Sequence, residues 1–440
     1  MRQRGVLSWC LYDWANSAFV LTVVTAFFPF FFKSYYCGAG VDPIKTTMWL
    51  GVGHTAAGII IAGLSLVLGA LADFGAGKKR FLLIFAAMGA LSTAALFLTA
   101  QGAWALALTL FILGNIGFSC ANLFYDALLV DVADNRSMDF VSSMGFAFGY
   151  VGGVVLFAFN MWMTARPAAF GLPDAAAAVR ISFLSVAVWW MAFSIPLFLF
   201  VRENRPAASQ PALKILLGVI NIVNAAGTIR TIWRTFFAIV RNPALILFLV
   251  AYWFYFDGVN TFIRMAVDFG LSIGFGYNAL MAAMIASQVV AFPSSLLFGY
   301  LAARAGAGRM IAAGVAIYIL ISGFGSLLMR TEAHFIAIAG LSGLAQGGVQ
   351  ALSRSYFGKL IPADESTEYF GFYNVVSRFA VLGPMVIGVV AAAARGLGAQ
   401  GALASRIGMS SVNLFFVMGL IFLLLAERSR ARAAREPQQG

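Results

Sequence analysis

Five stretches of this chain set ionisable or hydrogen-bonding side chains among almost wholly apolar neighbours, each at helical spacing. Asp13 is followed one turn later by Asn16 and Ser17. Asn115, Ser119, Asn122 and Asp126 recur at steps of four, three and four, which places them on one helical face. Asp257, Asn260, Thr261, Arg264 and Asp268 repeat that rhythm. Gln346, Gln350, Ser353 and Arg354 form a fourth stripe, and Asn374, Ser377 and Arg378 a fifth. Two uses are open to such sets. Amides and hydroxyls can tie helices together, at about 0.6 kcal/mol per interhelical bond. Carboxylates and guanidinia can instead grip a charged solute or exchange a proton. An ionised group at the centre of a membrane helix costs roughly 2.5–3.5 kcal/mol even on the lenient insertion scale. That cost favours the second use for Asp257, Arg264 and Arg354, while Asp13 is close enough to the chain end for either.

Other chemistry finds little support. Two histidines, His54 and His334, and three cysteines, Cys10, Cys37 and Cys120, are too few for a metal or disulfide framework. No catalytic residue, metal or cofactor is expected. Asp131, Asp134, Arg136 and Asp139 make the only charged cluster a membrane-embedded transferase could use. Similar residues, Asp364, Glu365 and Glu368, recur in the second half and point to a structural loop. A transferase and a non-transporting receptor are therefore the rival classes.

The elements that must position these stripes follow from composition. Of 440 residues, 61% are apolar and only 10% charged, with a mean hydropathy of +0.89. Soluble domains run at about 45–50% and about 25%. A soluble enzyme, a disordered regulator and a nucleic-acid module are excluded together. The pI near 9.9 does not restore a nucleic-acid partner, because the basic residues are scattered among apolar runs. The expected partner is a lipid bilayer.

Apolar runs long enough to cross it lie at about residues 8–32, 48–71, 81–100, 104–129, 140–163 and 180–201, here spans 1 to 6. They resume at about 243–269, 277–302, 310–329, 334–360, 370–394 and 410–427, spans 7 to 12. The first run is too long for a signal-peptide core and carries Asp13, so it reads as a retained span. Pro29, Pro196, Pro293 and Pro384 fall inside spans and should kink them. Gly145, Gly149 and Gly153 on span 5 should let a neighbouring helix approach closely. Between the halves, residues 202–242 form a basic linker whose apolar part is interrupted by Arg230 and Arg234, as in an amphipathic surface helix. About 19 of the 29 Lys and Arg fall on the side that holds both termini, which the positive-inside rule makes cytoplasmic.

An internal repeat supports this division. Gly69-Ala70-Leu71-Ala72-Asp73 leads to Gly77-Lys78-Lys79-Arg80 after span 2. About 230 residues on, Gly299-Tyr300-Leu301-Ala302-Ala303 leads to Gly306-Ala307-Gly308-Arg309 after span 8. The same offset relates Val132-Ala133-Asp134 to Pro362-Ala363-Asp364. The expected organisation is all-α: a six-helix bundle over 1–201, a cytoplasmic linker over 202–242, and a second six-helix bundle with a basic tail over 243–440.

Tandem six-span halves and the Gly-x-Leu-Ala-Asp…Gly-Lys-Lys-Arg loop resemble the major facilitator superfamily of secondary transporters. Tyr12-Asp13-Trp14-Ala15-Asn16-Ser17-Ala18-Phe19, Gln346-Gly347-Gly348-Val349-Gln350-Ala351-Leu352-Ser353-Arg354-Ser355 and Phe370-Gly371-Phe372-Tyr373 are similar to its autophagy-related vacuolar effluxer-like branch. That resemblance implies two bundles rocking around a central cavity lined by spans 1, 4, 7 and 10. It makes Asp13, Asn16, Asn122, Asp126, Asp257, Asn260, Arg264, Gln346, Gln350 and Arg354 the candidates for substrate binding or coupling. It makes Gly69, Asp73, Gly77, Lys78, Lys79 and Arg80 the candidates for conformational gating. The expected function is transport of a small polar solute, an amino acid or peptide, with protons as coupling partner, across a bacterial inner membrane. A sugar, a drug-like amphiphile or a lipid is the alternative cargo.

Overall fold

In the computed structural model, residues 2–38, 41–71, 77–203, 225–380, 382–400 and 402–433 are described. Twelve helices among them are long and apolar enough to cross a membrane. They are Gln3–Tyr36, Lys45–Leu71, Lys78–Leu98, Trp104–Val132, Met138–Ala165 and Ala175–Phe200, then Pro243–Ala266, Ala282–Ala305, Ala307–Leu328, Glu332–Gly358, Ser366–Gly396 and Ala402–Ala433. No strand occurs among the described residues. The all-α architecture with twelve spans is thus as expected.

Local chemistry sets several span ends. Asp174 caps span 6 by accepting from the Ala177 N–H at 2.7 Å. Asn242 accepts from Leu245 N–H at 3.3 Å and Thr331 from His334 N–H at 3.2 Å, capping spans 7 and 10. Large apolar side chains such as Ile59, Leu91, Leu98, Val188 and Met385 are exposed along the helices. In water they would be a liability; facing lipid chains they are where a bilayer needs them.

Contacts group the chain into two units. Unit 1 comprises Met1–Asp134, Phe148–Ile229 and Ala363–Phe372; unit 2 comprises Asn135–Ala147, Arg230–Pro362 and Tyr373–Gly440. The start of span 5 therefore belongs to unit 2, and the start of span 11 to unit 1.

In unit 1, the span 5 glycines do admit a neighbour, and it is span 1. A Cβ on Gly149 would lie 2.6 Å from Ser17 Oγ, and one on Gly153 would lie 3.3 Å from the Ser17 carbonyl oxygen. Another close crossing joins spans 3 and 4, where a Cβ on Gly117 would meet Gly89 N at 2.5 Å and the Phe85 carbonyl oxygen at 2.7 Å. Both obstacles are backbone and cannot swing aside. Gly117→Val should therefore lower the thermal unfolding midpoint, overpacking costing about 1–3 kcal/mol. Gly58→Val, with nothing within 4 Å of its Cβ, is the matched control and should leave the midpoint unchanged.

Span 11 departs from expectation. It is built from two helical segments, Ser366–Arg378 and Gly383–Gly396. Pro384 does not kink a continuous helix but stands in the first turn of the second segment, where its missing N–H is no loss.

Candidate functional site

Unit 1 brings the polar stripes of spans 1 and 4 together. Asn16 Nδ2 donates to Asn122 Oδ1 at 2.7 Å, and Tyr125 Oη donates to Asp13 Oδ2 at 2.8 Å. Trp9 stacks on Tyr125 with centroids 4.4 Å apart and donates its Nε1–H to the Tyr125 carbonyl at 3.0 Å. Asp13 and Asn16 are buried, while Asn122 and Asp126 are half-buried. The buried Tyr12 phenol lies within electrostatic reach of both Asp13 and Asp126. Spans 1 and 4 are thus joined by two side-chain hydrogen bonds beside the Trp9–Tyr125 stack.

Unit 2 centres on Asp257, which is fully buried. Its carboxylate accepts from the Leu382 N–H at 2.9 Å, the Gly383 N–H at 3.3 Å and the Thr261 hydroxyl at 3.1 Å. The two amides open the second segment of span 11, so Asp257 caps a half-helix from another span. A negative charge is stabilised there by otherwise orphaned N–H groups and the helix dipole. Arg264, exposed and two turns beyond, adds favourable electrostatics to Asp257. Nearby, Tyr255 Oη and Ser353 Oγ hydrogen-bond at 2.7 Å between spans 7 and 10. Asn260 follows Tyr255 by five residues, and Gln346 and Gln350 precede Ser353 by seven and three. Asn260, Gln346 and Gln350 are half-buried. Neither Asn260, Arg264 nor Gln346 makes a hydrogen bond among the described residues.

Arg354 is placed differently, among residues from the start of span 5. It is 3% exposed; its Nε donates to Ser142 Oγ at 2.9 Å and its Nη2 to the Ser142 carbonyl at 3.0 Å. The guanidinium also covers the Phe146 ring at 4.4 Å. The next residue, Ser355, donates its Oγ–H to Asp139 Oδ1 at 2.7 Å, and further along Lys359 Nζ pairs with Asp139 Oδ2 at 2.6 Å. Span 8 closes on the same helix start: Ser295 Oγ donates to the Ser143 carbonyl at 2.7 Å, and a Cβ on Gly299 would lie 2.5 Å from Ser143 Cβ.

Unit 1 has a polar contact of its own at the start of span 11. The ammonium of Lys78, buried, directs all three donors to Asp131 Oδ2 at 2.7 Å, Ser366 Oγ at 2.8 Å and the Ala127 carbonyl at 3.1 Å. A Cβ on Gly69 would lie 2.7 Å from the Thr367 carbonyl oxygen. Gly69 and Gly299, one repeat apart, thus admit the backbones of equivalent helix starts. Gly77 turns the following loop at φ +81°, and Lys79 N–H donates to Glu203 Oε2 at 3.0 Å while its Nζ reaches the Phe198 and Val201 carbonyls at 2.8 and 2.7 Å. Gly306 holds the matching turn of unit 2 at φ +91°, with Glu427 beside Gly308. Arg80 is exposed, and Asp73 lies outside the described residues. The acidic loop cluster is structural in part: Asp131 and Asp139 each pair with a lysine.

Sequence reading missed the partners rather than the polar stripes. Ser142 and Ser366 went unnoticed, although Ser137-Met138-Asp139-Phe140 and Ser366-Thr367-Glu368-Tyr369 are related by nearly the repeat offset. The capping amides of Leu382 and Gly383 have no side-chain signature; Gly383-Pro384, a favoured helix start, was the available hint.

A lysine in place of Arg354 keeps the charge but cannot make both bonds to Ser142 and cover Phe146 together. Arg354→Lys should lower initial transport rates by about 100-fold, as loss of a buried charged hydrogen-bond set worth about 3 kcal/mol would, with normal membrane insertion. Uptake at the normal rate would reduce Arg354 to a packing residue.

Comparison with known proteins agrees with this geometry. The fold is that of major facilitator transporters. A proton:xylose symporter, XylE, superposes with a TM-score of 0.67 over 97% of this chain and 94% of its own, at 14% identity. The human organic anion transporter MFSD10 gives 0.63 over 96% and 99%, at 15% identity. The sequence model described as "Vacuole effluxer Atg22 like" matches residues 57–436. The chain belongs to that family of major facilitator transporters, and it is not an enzyme. It is 38% identical over 418 residues to YxiO of Bacillus subtilis (strain 168), an uncharacterized MFS-type transporter, covering 94% of this chain and 93% of that protein. Autophagy-related protein 22 of Eremothecium gossypii is 22% identical, with 88% and 85% covered.

Proposed function

We propose that the protein carries a small zwitterionic or anionic solute, an amino acid or short peptide, by alternating access coupled to protons. The observation that carries this reading is the open polar set of unit 2. Asn260, Arg264 and Gln346 offer two amides and a guanidinium without hydrogen bonds of their own among the described residues, and Arg264 acts electrostatically on the buried carboxylate of Asp257. A guanidinium grips a carboxylate by two parallel bonds, which a sugar cannot reciprocate. Asp257 is the proton carrier, because losing its charge would release the half-helix it caps. Lys78 with Ser366, and Arg354 with Ser142, act as latches that let go during each cycle. Asp13, Asn16, Asn122 and Asp126 form the corresponding wall in unit 1. The membrane is a bacterial cytoplasmic membrane, as identity to a Bacillus protein supports, with both termini on the cytoplasmic side.

The test is uptake into proteoliposomes of labelled amino acids, dipeptides, sugars and lipid analogues, with and without an imposed pH gradient. Amino-acid or peptide uptake that is stimulated by the gradient and reduced at least tenfold in Arg264→Gln is the expected result. Uptake confined to sugars, or indifferent to Arg264, would overturn the substrate assignment. Uptake of any cargo that ignores the gradient would overturn the coupling.

A further inference from the structure

The linker helix Ala225–Arg241 has three separate stripes. Thr231, Thr235 and Ile239, at successive turns, are buried. Roughly opposite them Ile229, Trp233, Phe236, Phe237 and Val240 are all exposed. Their rings form one cluster: Trp233 and Phe237 are stacked with centroids 5.8 Å apart, and Phe236 packs edge-on at 5.7 Å from Trp233 and 5.6 Å from Phe237. Arg230, Arg234 and Arg241 are exposed and project, at about 100° per residue, along one line beside that apolar face. The helix contains no Asp or Glu. Asn242 alone separates it from Pro243, where span 7 begins. A helix joined that closely to the end of a span lies at the level of the lipid headgroups.

We propose that this face docks on anionic phospholipid. The five apolar side chains enter the acyl boundary, and the arginine row meets headgroup phosphates. Charge complementarity chooses this occupant: three arginines in a row on a helix that itself carries no Asp or Glu match phosphate, and Trp and Phe next to them suit the interfacial zone. A buried stripe on the far side fixes the rotation, so the helix presents these residues to one surface only. The inference rests on this helix and not on the nature of the transported solute.

Spin labels on the full-length protein in vesicles test it. The three native cysteines are buried and none is in a disulfide, so labelling falls on the introduced one. Phe237→Cys should carry a label that collides with oxygen and is screened from a water-soluble nickel complex in phosphatidylcholine–phosphatidylglycerol vesicles. Ala238→Cys, exposed and turned away from the apolar stripe, should remain open to nickel. Adding Arg230→Gln, Arg234→Gln and Arg241→Gln should raise nickel access at position 237 several-fold in the same vesicles, as should using phosphatidylcholine alone. Equal nickel access in both vesicle types would overturn the proposal. So would a 237 label screened from both reagents, which means protein covers the face, or dipolar broadening between labels, which means a second copy does.

Discussion

Asp257→Asn is expected to abolish accumulation of solute driven by a pH gradient while sparing exchange at equal pH on both sides. The reason lies in the hydrogen bonds. The carboxylate receives the Leu382 N–H, the Gly383 N–H and the Thr261 hydroxyl. Asparagine has the same shape, but its single oxygen can serve only part of that set, and its amino group faces donors. It also lacks the charge, and an anion at a partly buried helix N-terminus contributes up to about 2 kcal/mol. Losing that amount changes a two-state population by a factor of roughly 30. The variant therefore resembles the protonated acid held permanently, with the second segment of span 11 released. Coupling requires that proton affinity differ between the two states of the cycle, and a cap that forms in one state and breaks in the other supplies the difference. The measurement is the ratio of internal to external solute under an imposed gradient, beside counterflow without one. Persistent accumulation would remove Asp257 from coupling. Loss of both activities in a folded protein would leave it as a cap alone.

Lys78→Met should have the second-largest effect. Lys78 and Asp131 form a buried pair with side chains 9% and 4% exposed, and the same ammonium holds Ser366 at the start of span 11. Removing one partner of a buried pair costs about 3–5 kcal/mol. That weakens the hold of spans 3 and 4 on span 11 more than it weakens either span. The reporter is Thr367→Cys, because Thr367 is fully buried and its hydroxyl has no hydrogen-bond partner among the described residues, so the substitution should disturb little. Maleimide should label position 367 about 100-fold faster when Lys78→Met is added, about 2.7 kcal/mol of opening. An unchanged rate in a folded protein would mean that Lys78 anchors the loop without latching span 11.

Much of this protein was determined by sequence alone. Twelve apolar runs separated by charged loops have one physical outcome, because a backbone without water must satisfy itself within each helix. The stripes on spans 1, 4, 7 and 10 were also legible, since polar residues repeat at 3.6 positions only when they share a face. The repeat marked Gly69 and Gly299 as equivalent before any coordinates. Partnership was not legible. Arg354 reads from sequence as a candidate for substrate binding or coupling, and only the folded chain shows Ser142 beside it, 212 residues away. Asp257 reads from sequence as one of a stripe with Thr261 and Arg264 along its own helix. The tertiary structure adds the N–H groups of Leu382 and Gly383, more than a hundred residues distant in sequence. Helical period reports which side chains share a face, but the groups across from that face are set by packing between distant spans. When those groups are backbone amides freed at a helix break, no side chain records them, and only the folded chain can decide where the carboxylate goes.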